Sequence, residues 1–547
     1  MDKQLIKVDN KIMLKKFFEK SKKYKHGNLI IFGLIAFYLV THLSALTSLP
    51  VFADESIYIR WAQLIIDDWQ RYLFFPMNDG KTPLFIWLLV PFQFLFKDQL
   101  FAGRFVTVLV GLAQVLMNMK IIQVLGGKRK TQILTGIFTI ILPFWYFHHR
   151  MALMDGLLTL LVSVTFLFLA KVSKNQPKKV FDKNSLKPII LAGIFFGLSL
   201  LTKIPAVLFI PAFYFSIFLG TKKDFKRLRI SFFKVSFSIA IGLSMFAALR
   251  INPVFGQLFS RGGDFLFPVS QIITGTWKET IPSFPNYINY FFIYLTPGIM
   301  VFIILGLFSK KHKITAHVLF WSGLFFILPI ALMGKSVYPR YLFPASLFFT
   351  LSAMMGLESI IFGIFESPKL NGKSDKLWKT SLVGVSVALL ISNSIVTSIN
   401  YMQLSVLNSN DIPFVASDVT QYLTEWSSGH GIKEAVELIR SQADIGTVAV
   451  ATEGTFGTLP DGLLMYFHRT NVDNLYLEGV GYPINGIPKL FADRAKNYEK
   501  KLLVVNSHRM NLKIDSKYLV AEYCRPFNAP CLQVWNITEN FQDYIKD

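Results

Sequence analysis

Long apolar blocks separated by short basic segments decide what this chain can fold into. Residues 29–46 and 232–249 carry hardly any charge, over about the 20 residues a helix needs to cross a bilayer. Their apolar residues run all round the helix and do not form the single stripe of a soluble amphipathic helix. Of 547 residues, 52% are hydrophobic and 17% charged, against about a quarter charged in soluble domains. A soluble single domain is excluded. Two cysteines, Cys524 and Cys531, are too few for a disulfide framework or a four-ligand zinc site, although they can form one bridge in an oxidising compartment.

The net charge of +23 sits between the apolar blocks, so it marks sidedness and calls for no nucleic acid. Lysines crowd the tail 1–28, residues 128–130, 171–187, 222–234, 310–313 and 369–379, and the positive-inside rule puts all of these on the cytoplasmic face. Threading the blocks between them gives about eleven spans, near 29–47, 101–125, 131–147, 156–170, 188–202, 204–219, 231–250, 287–308, 314–333, 342–365 and 380–400, with the N-terminus inside. The basic tail lacks a small-residue cleavage site and reads as the flank of a retained anchor. Residues 83–96 are apolar but too short to cross, and if they crossed, the later basic clusters would fall outside. They are expected as an interfacial helix on the outer leaflet, within juxtamembrane structure at 50–100.

After residue 400 the composition becomes that of a soluble fold. Strand-like runs at 447–452, 502–505, 518–523 and 532–537, with a helix-like 432–440, predict an extracytoplasmic α/β domain over 401–547. The loop 452–457 lacks the spacing of either nucleotide-binding glycine motif and reads as an ordinary turn, and Asn536-Ile-Thr538 fits a common glycosylation pattern.

The outer segments hold the unusual polar residues. Asp54 and Glu55 stand side by side just beyond the first span, ahead of a helix-like 57–69 that Asp54 is placed to cap. Adjacent acids at a membrane surface need a cation, a proton or a hydroxyl substrate as partner. One can act as general base on an acceptor hydroxyl while the other supports it. Asp155 opens a later span five residues after Arg150. Lys81, Lys203, Arg340 and Arg104 supply positive charge on the same side, as a phosphate leaving group requires. Ionisable groups at such depth are functional candidates, with headgroup anchoring as the plain alternative.

The ordered set DESIY (54–58), GKTPL (80–84), HHRMALMDG (148–156), GLSLLTK (197–203) and YPRYLFP (338–344) resembles the GT-C membrane glycosyltransferases, nearest to the glycosyltransferase family 39 group of protein O-mannosyltransferases and aminoarabinose transferases. The resemblance covers about residues 29–365 and implies a polytopic α-helical GT-C fold. It implies transfer of a sugar from a polyprenyl-phosphate carrier to an outer-face acceptor, which could be protein, glycolipid or polysaccharide, in the cytoplasmic membrane. Asp54 matches the catalytic base and Glu55 its supporting partner. Asp155 with Arg150 is similar to the second acidic motif, Lys81 and Lys203 would contact the carrier phosphate, and Tyr58, Arg340 and Tyr341 would line the substrate site. The family contains metal-dependent and metal-independent members, so no cofactor is expected while a divalent cation stays open. The His148-His149 pair reads as polar lining. One base and one displacement predict inversion.

A transporter or lipid flippase is the rival. It should carry its ionisable residues near the midplane on interrupted helices and show related halves, whereas the acids here lie at span ends and the sequence shows no convincing internal repeat. A bare anchor for the C-terminal domain needs far fewer spans.

Overall fold

The computed structural model describes residues 28–175, 179, 182–220, 224–309, 311–365, 374–470 and 474–546. The basic tail up to residue 27, Lys222, Lys223, Lys310 and Lys369 lie outside the described residues. Every apolar block is helical where described, but not every block is one straight span. Seven helices are long and apolar enough to cross a membrane, and eight if one bent pair counts as a single span.

The differences from the expected eleven have local causes. The block expected as one span at 287–308 is broken at Thr296, where helices either side bend by 108°. Pro297 follows, and proline disfavours helical geometry in the residue before it; Thr296 takes φ 70° and bonds Ser394 Oγ at 2.7 Å. Pro205 and Pro211 break the block 204–219 into the short turns Ile204–Phe209, Ile210–Phe215 and Ser216–Leu219. Pro143 divides the third block into Arg129–Ile141 and Pro143–His148. The short block at 83–96 forms Leu84–Leu89 and Val90–Phe94.

The two ends of the bundle differ in chemistry. At one end Glu358 is buried and accepts from Lys128 N at 2.8 Å, Thr131 Oγ1 at 2.7 Å, Lys311 Nζ at 3.1 Å and His312 Nε2 at 3.2 Å. It ties together segments from two of the basic clusters, 128–130 and 310–313. Arg340 lies 18 residues earlier on the same run of helix, on the order of 25 Å away at 1.5 Å per residue, and marks the opposite end.

The C-terminal region has a five-stranded sheet in the order β2-β1-β4-β6-β5. Its strands are β1 (Val448–Thr452), β2 (Leu475–Gly479), β4 (Lys500–Asn506), β5 (Leu519–Cys524) and β6 (Cys531–Asn536), while β3 (Ile487–Pro488) pairs separately with β7 (Ile545–Lys546). β1 is parallel to both β2 and β4, and β6 is antiparallel to β4 and β5. Sequence patterning misses β2, whose residues are all half-buried. Cys524 and Cys531 face each other across β5 and β6 and are bonded, which settles the pairing left open by the sequence.

This region is docked on helix Ala53–Asp67. Val51, Ile59 and Leu100 share one apolar core with Ile432, Ile439 and Leu463. Backbone bonds join Ala53 N to Ser427 O at 2.9 Å and Gly429 N to Val51 O at 2.7 Å. Gln63 Nε2 donates to Met465 O at 2.9 Å.

Candidate active site

Helix Ala53–Asp67 begins earlier than its apolar pattern suggests, with Phe52 at the N-cap and Asp54 and Glu55 in the first turn. Successive residues on a helix point about 100° apart, so the two adjacent acids must face different surroundings. The capping role expected of Asp54 falls to Glu55, whose Oε2 accepts Phe52 N at 3.0 Å, half of a capping box. The Asp54 carboxylate is thereby left to the site, in a first turn whose dipole favours an anion.

Asp54 Oδ2 accepts from Arg340 Nη1 at 2.7 Å. The Arg340 guanidinium stacks on Phe52 at 4.9 Å and Tyr341 at 5.1 Å, and its Nη2 donates to the Tyr341 hydroxyl at 3.3 Å. Its Nε is buried and has no acceptor among the described residues. Lys203 lies over the other part of this cluster, 5.3 Å from the Tyr341 ring centre and 2.7 Å from Asp155 Oδ1. Lys203 ends helix Lys183–Thr202 in extended geometry, as a residue two before Pro205 that leaves the helix. Burial pushes the Asp54 carboxyl up, but Arg340, with Lys81 and Lys203 behind it, outweighs this and holds it below the ordinary carboxylate range. Tyr58 lies one turn along the helix and is buried, its ring edge-on to Phe85 at 5.9 Å. It lines the floor beneath Asp54. Lys81 is 3.9 Å from Asp79, which also pairs with Arg261; the loop bearing Arg261 thus covers this flank.

Three expectations are corrected. Glu55 does not stand with Asp54. It is fully buried, bonded to Arg104 Nε at 2.8 Å, Arg104 Nη2 at 2.7 Å and Ala152 N at 2.7 Å. Arg104 in turn donates to the carbonyls of Leu46, Leu49 and Pro50 at 2.9, 2.9 and 3.0 Å, so it fixes the turn into the site. Arg150 is likewise turned to backbone carbonyls. It donates to the carbonyls of Thr41 at 3.0 Å, Ser44 at 2.8 Å and Ala45 at 2.8 Å, closing the C-terminal end of the first helix as a cation does.

The His148-His149 pair is core and not polar lining. His148 stacks on Phe343 at 4.3 Å with Nδ1 bonded to Phe144 O, and His149 packs among Trp145, His42 and Tyr38. Among the described residues the one group of potential metal ligands is Glu522 with Cys524 and Cys531, and both sulfurs are spent in the disulfide.

Sequence reasoning misses a segment that reaches the site from the C-terminal side. Tyr422 packs against Phe52 at 4.9 Å, and Asp418 is buried, accepting from the Tyr294 hydroxyl at 2.5 Å. Nothing in the pattern around 411–428 marks these residues. Burial pushes Asp418 up to about 7 and Asp461 up to about 6, from unfolded values near 4. Folded protein therefore holds more protons than unfolded protein in this window, and stability falls as pH rises through it. Thermal unfolding of the purified protein is expected to show Tm decreasing between about pH 4 and 7, with a flatter profile in Asp418→Asn; an equally steep profile in that variant would contradict the assignment.

Comparisons with known proteins bear on the fold. The family described as dolichyl-phosphate-mannose-protein mannosyltransferase matches residues 80–251, a stretch that holds Lys81, Asp155 and Lys203 but stops short of Asp54 and Arg340. No curated protein sequence matches the chain. The fold resembles ArnT from Cupriavidus metallidurans in its apo state, with TM-score 0.54, 15% identity, and 92% of this chain and 97% of that one covered. The same protein bound to undecaprenyl phosphate gives TM-score 0.51 at 15% identity, with the same coverage. The fold is thus similar to that of ArnT, and about a third of the chain matches the mannosyltransferase family model.

Proposed function

We propose that this protein is a membrane glycosyltransferase that moves a sugar from a polyprenyl-phosphate carrier to an acceptor hydroxyl at the outer face of the cytoplasmic membrane. The observation that carries the reading is the Asp54–Arg340 pair beside Lys203 and Tyr341. It sets Asp54 beside Arg340, and Asp155 beside Lys203, at the end of the bundle opposite the basic clusters. ArnT, the fold neighbour, binds undecaprenyl phosphate, and a carrier of that class suits this charge.

The chemistry follows from which groups can move. The bond between the anomeric carbon and the phosphate oxygen breaks as positive charge builds on the sugar ring. The charges of Arg340 and Lys203 stabilise the departing phosphate. Asp54 takes the proton of the acceptor hydroxyl as it attacks from the opposite side, which inverts the anomeric configuration. Arg340 already neutralises Asp54, so the proposal includes no cofactor; a divalent cation would have to compete with the guanidinium. Eleven crossings, with the N-terminus inside and residues 401–547 outside, complete the reading. The Cys524–Cys531 bridge suits an oxidising exterior.

Binding of the carrier is the direct test. Undecaprenyl phosphate should raise the Tm of the detergent-purified protein by linkage, and Lys203→Gln should need on the order of tenfold more lipid for the same shift, the loss of one charged contact. No stabilisation by any polyprenyl phosphate would contradict the proposal.

The pH profile gives a second test. A base held below the ordinary carboxylate range is ionised at neutral pH, and activity is lost only as pH falls through its lowered pKa. In Arg340→Gln the burial that pushes Asp54 up loses its strongest counterweight. The acid limb of residual transfer should then move toward neutrality; an unmoved limb would separate Arg340 from the base.

A further inference from the structure

Three exposed aromatic side chains collect where the parallel strands of the C-terminal sheet end. β1, β2 and β4 finish at Thr452, Gly479 and Asn506. The loops beyond them carry Phe456, Tyr482 and Arg509, and Trp426 joins them from the segment linking bundle and sheet. The Arg509 guanidinium lies over both Trp426 at 4.4 Å and Tyr482 at 4.5 Å. It is held by Glu453 at 3.5 Å, itself fixed by Asn506 N at 2.8 Å and Nδ2 at 2.6 Å. The Trp426 and Tyr482 rings are therefore anchored, yet Tyr482 is 64%, Phe456 51% and Trp426 36% exposed.

Ligands of open α/β sheets bind beyond the carboxyl ends of parallel strands, and a fixed apolar patch with a polar rim marks a binding surface. The chemistry of this patch selects the ligand. A pyranose ring has an apolar C–H face that packs on an aromatic ring and a belt of hydroxyls that bonds charged groups at the rim, here Arg509 with Glu425 and His508, themselves 3.9 Å apart. Hydrocarbon chains would instead strip water from those charges without replacing it.

The patch packs against the turn that carries the reaction site. Ser427, next to Trp426, accepts Ala53 N at 2.9 Å, and Gly457, next to Phe456, accepts Ser56 Oγ at 3.0 Å. Both neighbours of the aromatic residues thus touch the turn that carries Asp54. We propose that Trp426, Phe456, Tyr482 and Arg509 form an acceptor subsite that holds a sugar unit of a carbohydrate-bearing acceptor and leads its free hydroxyl to Asp54. This rests on the transferase reading above and narrows its acceptor to a glycan.

The test uses the full-length protein in nanodiscs without donor, with the hexasaccharides of α-glucose, α-mannose and β-N-acetylglucosamine as probes and saturation-transfer NMR as readout. At least one should bind in the millimolar range. Tyr482→Ala, at an exposed position where folding is not at stake, and Trp426→Ala should each weaken it at least tenfold, while Leu490→Ala, exposed elsewhere on the same fold, leaves it unchanged. The proposal is overturned if none of the three binds, if binding survives both aromatic substitutions, or if only an apolar peptide or anionic vesicles engage Trp426. Donor turnover is measured separately, so intact transfer without glycan binding removes the subsite alone, and glycan binding without any transfer removes the reaction.

Discussion

Asp54→Asn is expected to lower kcat/KM for sugar transfer by about 10²–10⁴-fold, the range lost with a general base, while the protein folds normally and still binds the carrier. Asparagine keeps the shape of the side chain and can still meet Arg340, but it cannot take a proton. Steady-state transfer, combined with a lipid-induced shift in Tm, separates the two effects. A variant that folds but no longer binds carrier would make Asp54 an organiser of Arg340 and not the base.

Arg104→Met is expected to produce the largest structural loss. The substitution leaves Glu55 charged and buried without its partner and releases the three carbonyls of residues 46, 49 and 50. Breaking a buried pair from one side costs about 3–5 kcal/mol. Glu55→Gln should be damaging for the same reason, and the double variant Glu55→Gln with Arg104→Met should recover part of the loss, because neither charge is then stranded. Thermal unfolding and monodispersity of the three proteins check this. Normal stability of Glu55→Gln together with lost transfer would return Glu55 to the chemistry.

These two variants also show where the sequence is and is not readable. The motif order, the sidedness of the basic clusters and the interfacial nature of 83–96 depend on composition and block length, which survive any error in helix boundaries. The division of labour between Asp54 and Glu55 depends on where one helix starts. A start at 57 makes both acids loop residues free to act together; the observed start at Ala53 turns them about 100° apart, one toward Arg340 and the other into the core. Arg104 and Arg150 were open to misreading because their partners are mainly backbone carbonyls, which carry no sequence signature. Asp418 and Tyr422 come from a connecting segment without periodicity and reach the site only through the docking of the C-terminal region. The breaks at Thr296 and in 204–219, by contrast, are written in Pro297, Pro205 and Pro211, and reading block hydropathy alone passes over them.

Release of polyprenyl phosphate from a panel of lipid-linked sugars, by purified wild type and Asp54→Asn with membrane extract as acceptor, decides whether Asp54 is the base of a transferase. The account predicts release by wild type from at least one donor and a loss of about 10²-fold or more in the variant. Equal release by both proteins would contradict it.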